Sequence, residues 1–290
     1  MLALASRAAN SICRGWVIKA NDITEKPRLA ASSYLNTAPL IWSFVHGSRK
    51  GEVGLIEAVP ARCAELLDQG RVGVALVPVI EYQRLSGITV VPNVCIGSRD
   101  RVRSVVLVTS RADLKSIRTV ALDESSRTSA ALVRIIFREF LGFEPQWRCY
   151  APNLKQMLSE NDAALIIGDP AMTFTREGGL CVFDMATLWR EYTGLGFVFA
   201  LWMIRDDASA ADREINFRAA CDEGLMRAEE IIDFYQPLLG LPRSELRTYL
   251  RENISFCMDA DMRAGLDLYY KLAHKHGLIP GVKPLKSLDA

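Results

Sequence analysis

Arg28-Leu29-Ala30-Ala31-Ser32-Ser33-Tyr34-Leu35-Asn36-Thr37-Ala38-Pro39-Leu40-Ile41-Trp42 holds the change of pattern on which the fold turns. Arg28–Ala31 is a short apolar strand, Ser32–Thr37 is polar, and Pro39 opens the apolar run Leu40-Ile41-Trp42-Ser43-Phe44. Proline fits the first turn of a helix, where its missing N–H is not needed. The segment therefore reads as strand, polar loop and helix N-terminus. Such a turn points backbone N–H groups and short polar side chains beyond the carboxyl end of a strand, where open α/β sheets bind small ligands. An ordinary capped turn has the same pattern. What singles this one out is a second of the same build at Leu122–Ala131.

Outward from that turn, strand and helix signals alternate. Val53–Val59 is a strand, Pro60–Gly70 a helix with Pro at its start and Gly at its end, and Val72–Val77 a buried-type strand closed by Pro78. Ile80–Leu85 reads as a short helix, and Ile88–Ile96 and Arg103–Thr109 as strands. A second series follows: strand Thr119–Leu122, amphipathic helix Arg127–Leu141 ended by Gly142, strand Trp147–Tyr150, helix Asn153–Asn161 and strand Ala163–Gly168. Leu180–Asp184 is a strand, Thr187–Tyr192 is helical, and Phe197–Ile204 is a buried strand, too short to span a bilayer. The tail holds a long helix over about 211–236, one after Pro242 with Ser244 as N-cap, and a last one near Asp259–Lys275. Two βα series joined by two strands, Arg103–Thr109 and Phe197–Ile204, imply a two-lobed α/β molecule. Its cleft is lined by the carboxyl ends of strands from both lobes.

The bulk numbers narrow the function classes. The chain has 290 residues, half of them hydrophobic and 24% charged, enough for a large core in two domains. A formal charge of +1 gives no general field for nucleic acid or an anionic membrane, so any bound anion must be held locally. The seven cysteines (13, 63, 95, 149, 181, 221, 257) show no metal-ligand spacing and suit reduced, mostly buried thiols of a cytoplasmic protein. Only three histidines occur, His46, His274 and His276, which argues against a zinc site or a Ser-His-Asp triad. No apolar run reaches membrane-spanning length. In residues 1–27, Arg7, Arg14 and Lys19 precede the first acid, Asp22, but Arg7 interrupts the early apolar patch; the segment is expected to be a disordered extension.

The second turn is Asp123-Glu124-Ser125-Ser126-Arg127-Thr128-Ser129. Ser126, Thr128 and Ser129 offer hydroxyls where a helix's free N–H groups and positive dipole end collect, and Arg127 can grip a carboxylate bidentately. Three hydroxyls and a guanidinium exceed what capping requires, so an anion site is expected here. In Gly97–Val106, Ser104 opens the candidate crossover and can face the cleft, while Arg99 and Arg101 suit a solvated loop. In Ile167-Gly168-Asp169-Pro170, Gly168 permits close backbone approach, and Asp169 either bonds a ligand hydroxyl or caps the following turn. No P-loop or dinucleotide glycine pattern is present, so no nucleotide cofactor and no metal are expected.

In this order, S-Y-L-N-T-x-P-L, L-V-P-V-x-E-Y, G-S-x-x-x-V-x-S-V, D-x-S-S-R-T-S, I-I-G-D and T-G-L-x-F-V-F-A-x-W resemble the chorismate dehydratases of the futalosine route to menaquinone. The resemblance spans about residues 28–285 and includes Gly265-Leu266-Asp267-Leu268-Tyr269-Tyr270. It implies a periplasmic-binding-protein-like fold of type II: two mixed sheets flanked by helices, with lobe I at 28–104 and 202–290 and lobe II at 105–201. It also implies an enzyme taking the dianion chorismate, without cofactor, to 3-[(1-carboxyvinyl)oxy]benzoate and water. Asn36 and Ser104 are then the catalytic candidates. Ser33, Tyr34, Thr37, Ser126, Arg127, Thr128, Ser129, Gly168 and Asp169 are the substrate-binding ones. For the base, Glu81, Asp169 and a carboxylate of the substrate all stay open. The sequence departs from the family in its N-terminal extension and in Pro170, where Ala is expected. Competing readings are a solute-binding or ligand-sensing protein of this fold and 1,4-dihydroxy-6-naphthoate synthase, which uses a cleft histidine absent from these turns.

Overall fold

The computed structural model describes residues 26–175 and 178–288; the expected extension at 1–27 falls outside them but for its last two residues. The strands are β1 (Arg28–Ala31), β2 (Gly54–Glu57), β3 (Val74–Pro78), β4 (Ile88–Ser98), β5 (Val105–Thr109), β6 (Thr119–Asp123), β7 (Gln146–Tyr150), β8 (Ala163–Ile167), β9 (Cys181–Asp184) and β10 (Phe197–Arg205). They form two five-stranded sheets, ordered β2-β1-β3-β10-β4 and β7-β6-β8-β5-β9. In the first, β1 runs parallel to β2 and β3, and β10 lies antiparallel between β3 and β4. In the second, β6 runs parallel to β7 and β8, and β5 lies antiparallel between β8 and β9. The two sheets thus repeat one plan, three parallel strands closed by an antiparallel pair.

The continuous apolar strands follow from burial on both faces. Val105 and Leu107 of β5 and Leu165 and Ile167 of β8 enter the main core, which is continuous between the lobes. The alternate residues, Val106, Val108, Ala164 and Ile166, enter a smaller core on the opposite face. With side chains alternating at period two, each strand feeds two cores and carries no polar face.

Three details differ from the sequence reading. All of β10 pairs within the first sheet, from Phe197 opposite Ser98 to Arg205 opposite Ile88. The chain therefore returns to that sheet before Phe197, at the turn through Gly194 and Gly196, and not at 201/202. The helix expected over 211–236 is three, Ala210–Arg213, Phe217–Met226 and Ala228–Leu239, because Asn216 caps a new start and Arg227 leaves helical geometry. Ser244 is not an N-cap: Pro242, with extended backbone, precedes the helix Arg243–Thr248, so Ser244 lies inside it. Asp259 does cap the final helix, accepting from the Met262 N–H. Of the six described cysteines, all free, Cys63, Cys95 and Cys221 are buried, whereas Cys149 and Cys257 are exposed. No described helix is long and apolar enough to cross a membrane, and no described cluster of acids, cysteines and histidines has metal-binding geometry.

Candidate active site

A cavity of about 60 Å³ lies between the lobes, lined by both polar turns and by strand ends of both sheets. Leu76, Pro78, Ile96, Phe199 and Ala200 form an apolar floor from the first sheet. Tyr34, Asn36, Ser104, Ser126, Arg127, Thr128, Ser129 and Gly168 reach the lining, which brings together eight of the eleven expected site residues. Ser33, Thr37 and Asp169 stand outside it. Ser33 is exposed, and its carbonyl accepts from the Tyr235 hydroxyl at 2.8 Å.

The first turn is held by its own atoms. The Thr37 N–H donates to the Tyr34 carbonyl at 2.9 Å, and the Ala38 N–H to the carbonyls of Tyr34 and Leu35 at 3.2 Å. Ser32 Oγ and Thr37 Oγ1 bond at 2.8 Å, and Thr37 also donates to Asn36 Oδ1 at 3.3 Å. Thr37, fully buried, thereby fixes Asn36 from behind. The Leu35 N–H crosses the cleft to Asp169 Oδ1 at 3.0 Å. Burial pushes the Asp169 carboxyl up to about 7 against the pull of that N–H. Next to it, Gly168 has φ +69°, and a Cβ there would meet the Tyr34 ring at 2.7 Å. Only glycine accepts both the backbone angle and the ring. Tyr34 itself is pushed up to about 12, first by burial and then by the Asp123 charge.

The second turn is open by comparison. Ser125 is tied down by Asp123, whose Oδ1 accepts its N–H at 2.9 Å and its hydroxyl at 2.6 Å. The helix Thr128–Ile135 has no side-chain cap. Among the described residues, the N–H groups of Thr128, Ser129 and Ala130 have no acceptor, and the Ser126 and Ser129 hydroxyls have no protein partner. Free helix N-terminal donors beside free hydroxyls are the groups an anion would need. Arg127 qualifies the sequence expectation. Its guanidinium pairs with Glu81 at 3.0 Å and Glu65 at 2.8 Å, both from the first lobe. Two of its five N–H donors are taken this way, and the charge is balanced before any ligand arrives. Glu81 is buried between Arg127 and Arg84, the latter at 2.6 Å. Thr128 is also partly engaged, accepting from the Ile80 N–H at 3.3 Å and, through its carbonyl, from the Tyr269 hydroxyl at 3.0 Å.

Ser104 faces the cavity from a tight backbone turn. Its N–H donates to the Val102 carbonyl at 2.8 Å, spanning Arg103 at φ +64°. This three-residue turn is rare and strained for a side-chain-bearing residue, at a cost of about 1–3 kcal/mol. Asp184 holds it, accepting from the N–H groups of Val102 at 3.2 Å and Arg103 at 2.5 Å. Arg103 also pairs with Glu245 of the Arg243–Thr248 helix. One turn further along, Tyr249 is fully buried and its hydroxyl has no hydrogen-bond partner among the described residues. An unpaired buried hydroxyl costs about 1–3 kcal/mol. Sequence reading passed over Tyr249 because its spacing with Leu246 and Leu250 is that of any buried helix face. The aromatic and aliphatic floor was likewise visible only as buried strands.

Two α/β lobes with a cavity between them, lined by polar turns over an apolar floor, define a protein of the periplasmic-binding-protein-like class. Solved structures agree: an Archaeoglobus fulgidus protein (TM-score 0.73, 19% identity, 88% of this chain and 99% of that one) and the periplasmic aliphatic sulphonate binding protein of Escherichia coli (TM-score 0.59, 16% identity, 92% and 94%) share the fold. Within that class the chain belongs to the menaquinone biosynthesis family, whose model matches residues 27–275. The chorismate dehydratase of Thermus thermophilus is 31% identical to it over 259 residues, 83% of this chain and 93% of the relative.

Proposed function

We propose that this protein is a chorismate dehydratase, a hydro-lyase that eliminates water from chorismate to give 3-[(1-carboxyvinyl)oxy]benzoate for menaquinone synthesis. The observation that carries this reading is the pairing of an uncapped, hydroxyl-rich helix N-terminus with Asn36 and Ser104 over an apolar floor. A cyclohexadiene ring with one carboxylate attached and a second on its enolpyruvyl side chain suits those three features. The C3 proton of chorismate is vinylogous to the ring carboxylate. As it leaves, the C3–H electron pair delocalises toward that carboxylate; expulsion of the C4 hydroxide then completes the aromatic ring. Donors on the carboxylate stabilise the developing charge. We assign that task to Ser126, Ser129 and the free N–H groups of Thr128–Ala130, and help for the departing hydroxyl to Asn36 and Ser104.

The base is the point on which the geometry bears most. Glu81 is tied to Arg84 and Arg127 and is absent from the lining; Asp169 is bonded to the Leu35 N–H and also lies outside it. We therefore favour a carboxylate of chorismate itself as proton acceptor. Full activity in Glu81→Gln and Asp169→Asn fits that assignment; loss of turnover with retained chorismate binding in either variant refutes it. Because about 60 Å³ holds only a few waters, chorismate enters with the lobes parted. The reaction itself is checked by incubating purified protein with chorismate and following mass and absorbance. Loss of one water with a new benzoate spectrum supports the reading, and chorismate that binds unchanged supports a receptor instead.

A further inference from the structure

Tyr249 begins the π-helical turn Tyr249–Asn253, where the helix Arg243–Thr248 widens. Such turns recur at functional sites because they displace one residue from the regular helical row. Its ring is wholly enclosed, and among the described residues its hydroxyl satisfies no donor or acceptor. Phenylalanine would fill the same space without leaving a polar atom dry, so packing gives no reason for the oxygen. The surroundings give one. The hydroxyl lies near Ser104 and Asn36, which oppose the strong upward pull of burial on the phenol, and the Asp169 charge reinforces that pull. The ion pair between Arg103 and Glu245 joins this helix to the strained turn that carries Ser104.

We infer that Tyr249 is a positioning residue behind the two catalytic candidates, its hydroxyl bridging Ser104 and Asn36 once substrate orders them. Asn36 Oδ1 has one long bond, from Thr37 at 3.3 Å, and Ser104 Oγ one at 3.5 Å to the Val102 carbonyl. Both therefore have capacity to spare. A phenol O–H donated to Asn36 Oδ1 would turn the amide NH2 toward the ring, while the phenol oxygen accepts from Ser104. The phenol stays protonated throughout; no covalent step passes through it. This assignment rests on the dehydratase reading above.

The test is Tyr249→Phe, which removes one oxygen and keeps the packing. The expected result is kcat lowered by about 10-fold to 100-fold, KM for chorismate within about 3-fold of wild type, and a melting temperature equal to or above wild type. A merely structural tyrosine would lower stability or leave kcat alone. In an Asn36→Ala, Ser104→Ala background the same change should have little further effect, since residues acting as a unit are not additive. Wild-type kcat in Tyr249→Phe overturns this assignment alone, and so does an equal fold-loss in both backgrounds. Wild-type protein that binds chorismate without converting it overturns the assignment together with the dehydratase reading.

Discussion

β1 and β6 are each the middle of three parallel strands, and each ends in a hydroxyl-bearing turn before a helix without a side-chain cap. Yet the two turns use their polar groups in opposite ways. After β1, Thr37 and Ser32 bond to each other, and the N–H groups of Leu35, Thr37 and Ala38 are all taken. After β6, the Ser126 and Ser129 hydroxyls and the N–H groups of Thr128, Ser129 and Ala130 have no partner among the described residues. A turn that satisfies itself is rigid and can aim one side chain, here Asn36. An unsatisfied turn beside a helix dipole lowers its energy by taking an anion. On the function proposed above, equivalent places in a repeated plan would carry orientation on one side of the cleft and charge binding on the other.

If that division is right, substitutions on the two turns separate in kinetics. Asn36→Ala should lower kcat by about 100-fold to 1,000-fold, the usual cost of one transition-state donor, with KM little changed. A rise in KM at constant kcat would place Asn36 in ground-state binding. The double change Ser126→Ala, Ser129→Ala should act on the other parameter, raising KM or Kd for chorismate by about 10-fold or more, since hydrogen bonds to charged groups are worth about 1.5–3 kcal/mol. Unchanged affinity by calorimetry would remove the anion seat from this turn.

Smaller effects test the contact between the turns. Gly168→Ala forces a Cβ to within 2.7 Å of the Tyr34 ring at φ +69°. It should destabilise by about 1–3 kcal/mol, read as a lower denaturation midpoint. A pH effect belongs to Asp169. Its raised pKa, about 7, means that the folded protein holds more protons than the unfolded chain between the ordinary carboxyl range and 7. Stability should therefore fall as pH rises through that window, by about 1.4 kcal/mol per pH unit. Asp169→Asn keeps an acceptor for the Leu35 N–H and should flatten this slope; a slope equal to wild type would mean that another group titrates.

Local signals made much of this legible. β1 runs over Arg28–Ala31 as read, and Gly142 ends its helical segment in left-handed geometry. The motifs that suggested Asn36, Ser104 and Ser126–Ser129 do meet at one cavity. Less legible was what each group is already doing. Arg127 read as a free carboxylate clamp because Glu65 and Glu81 lie far from it in the chain. The break at Arg227 inside an otherwise helical pattern went unseen for a similar reason: its composition differs little from that of a continuous helix.

Alternating apolar strands, Pro and Gly at helix ends and two polar turns are short-range features, set by backbone sterics and residue period. They determine the α/β class and where ligand-facing turns fall. Which polar groups remain unpaired is a long-range property, because a hydroxyl or guanidinium is satisfied by whatever the fold brings within about 3 Å. The tertiary structure alone decided that the polar groups of the opening stretch around Asn36 bond to one another, that the hydroxyls of its counterpart at Ser126–Ser129 stay open, and that Tyr249 carries a buried hydroxyl with no partner among the described residues.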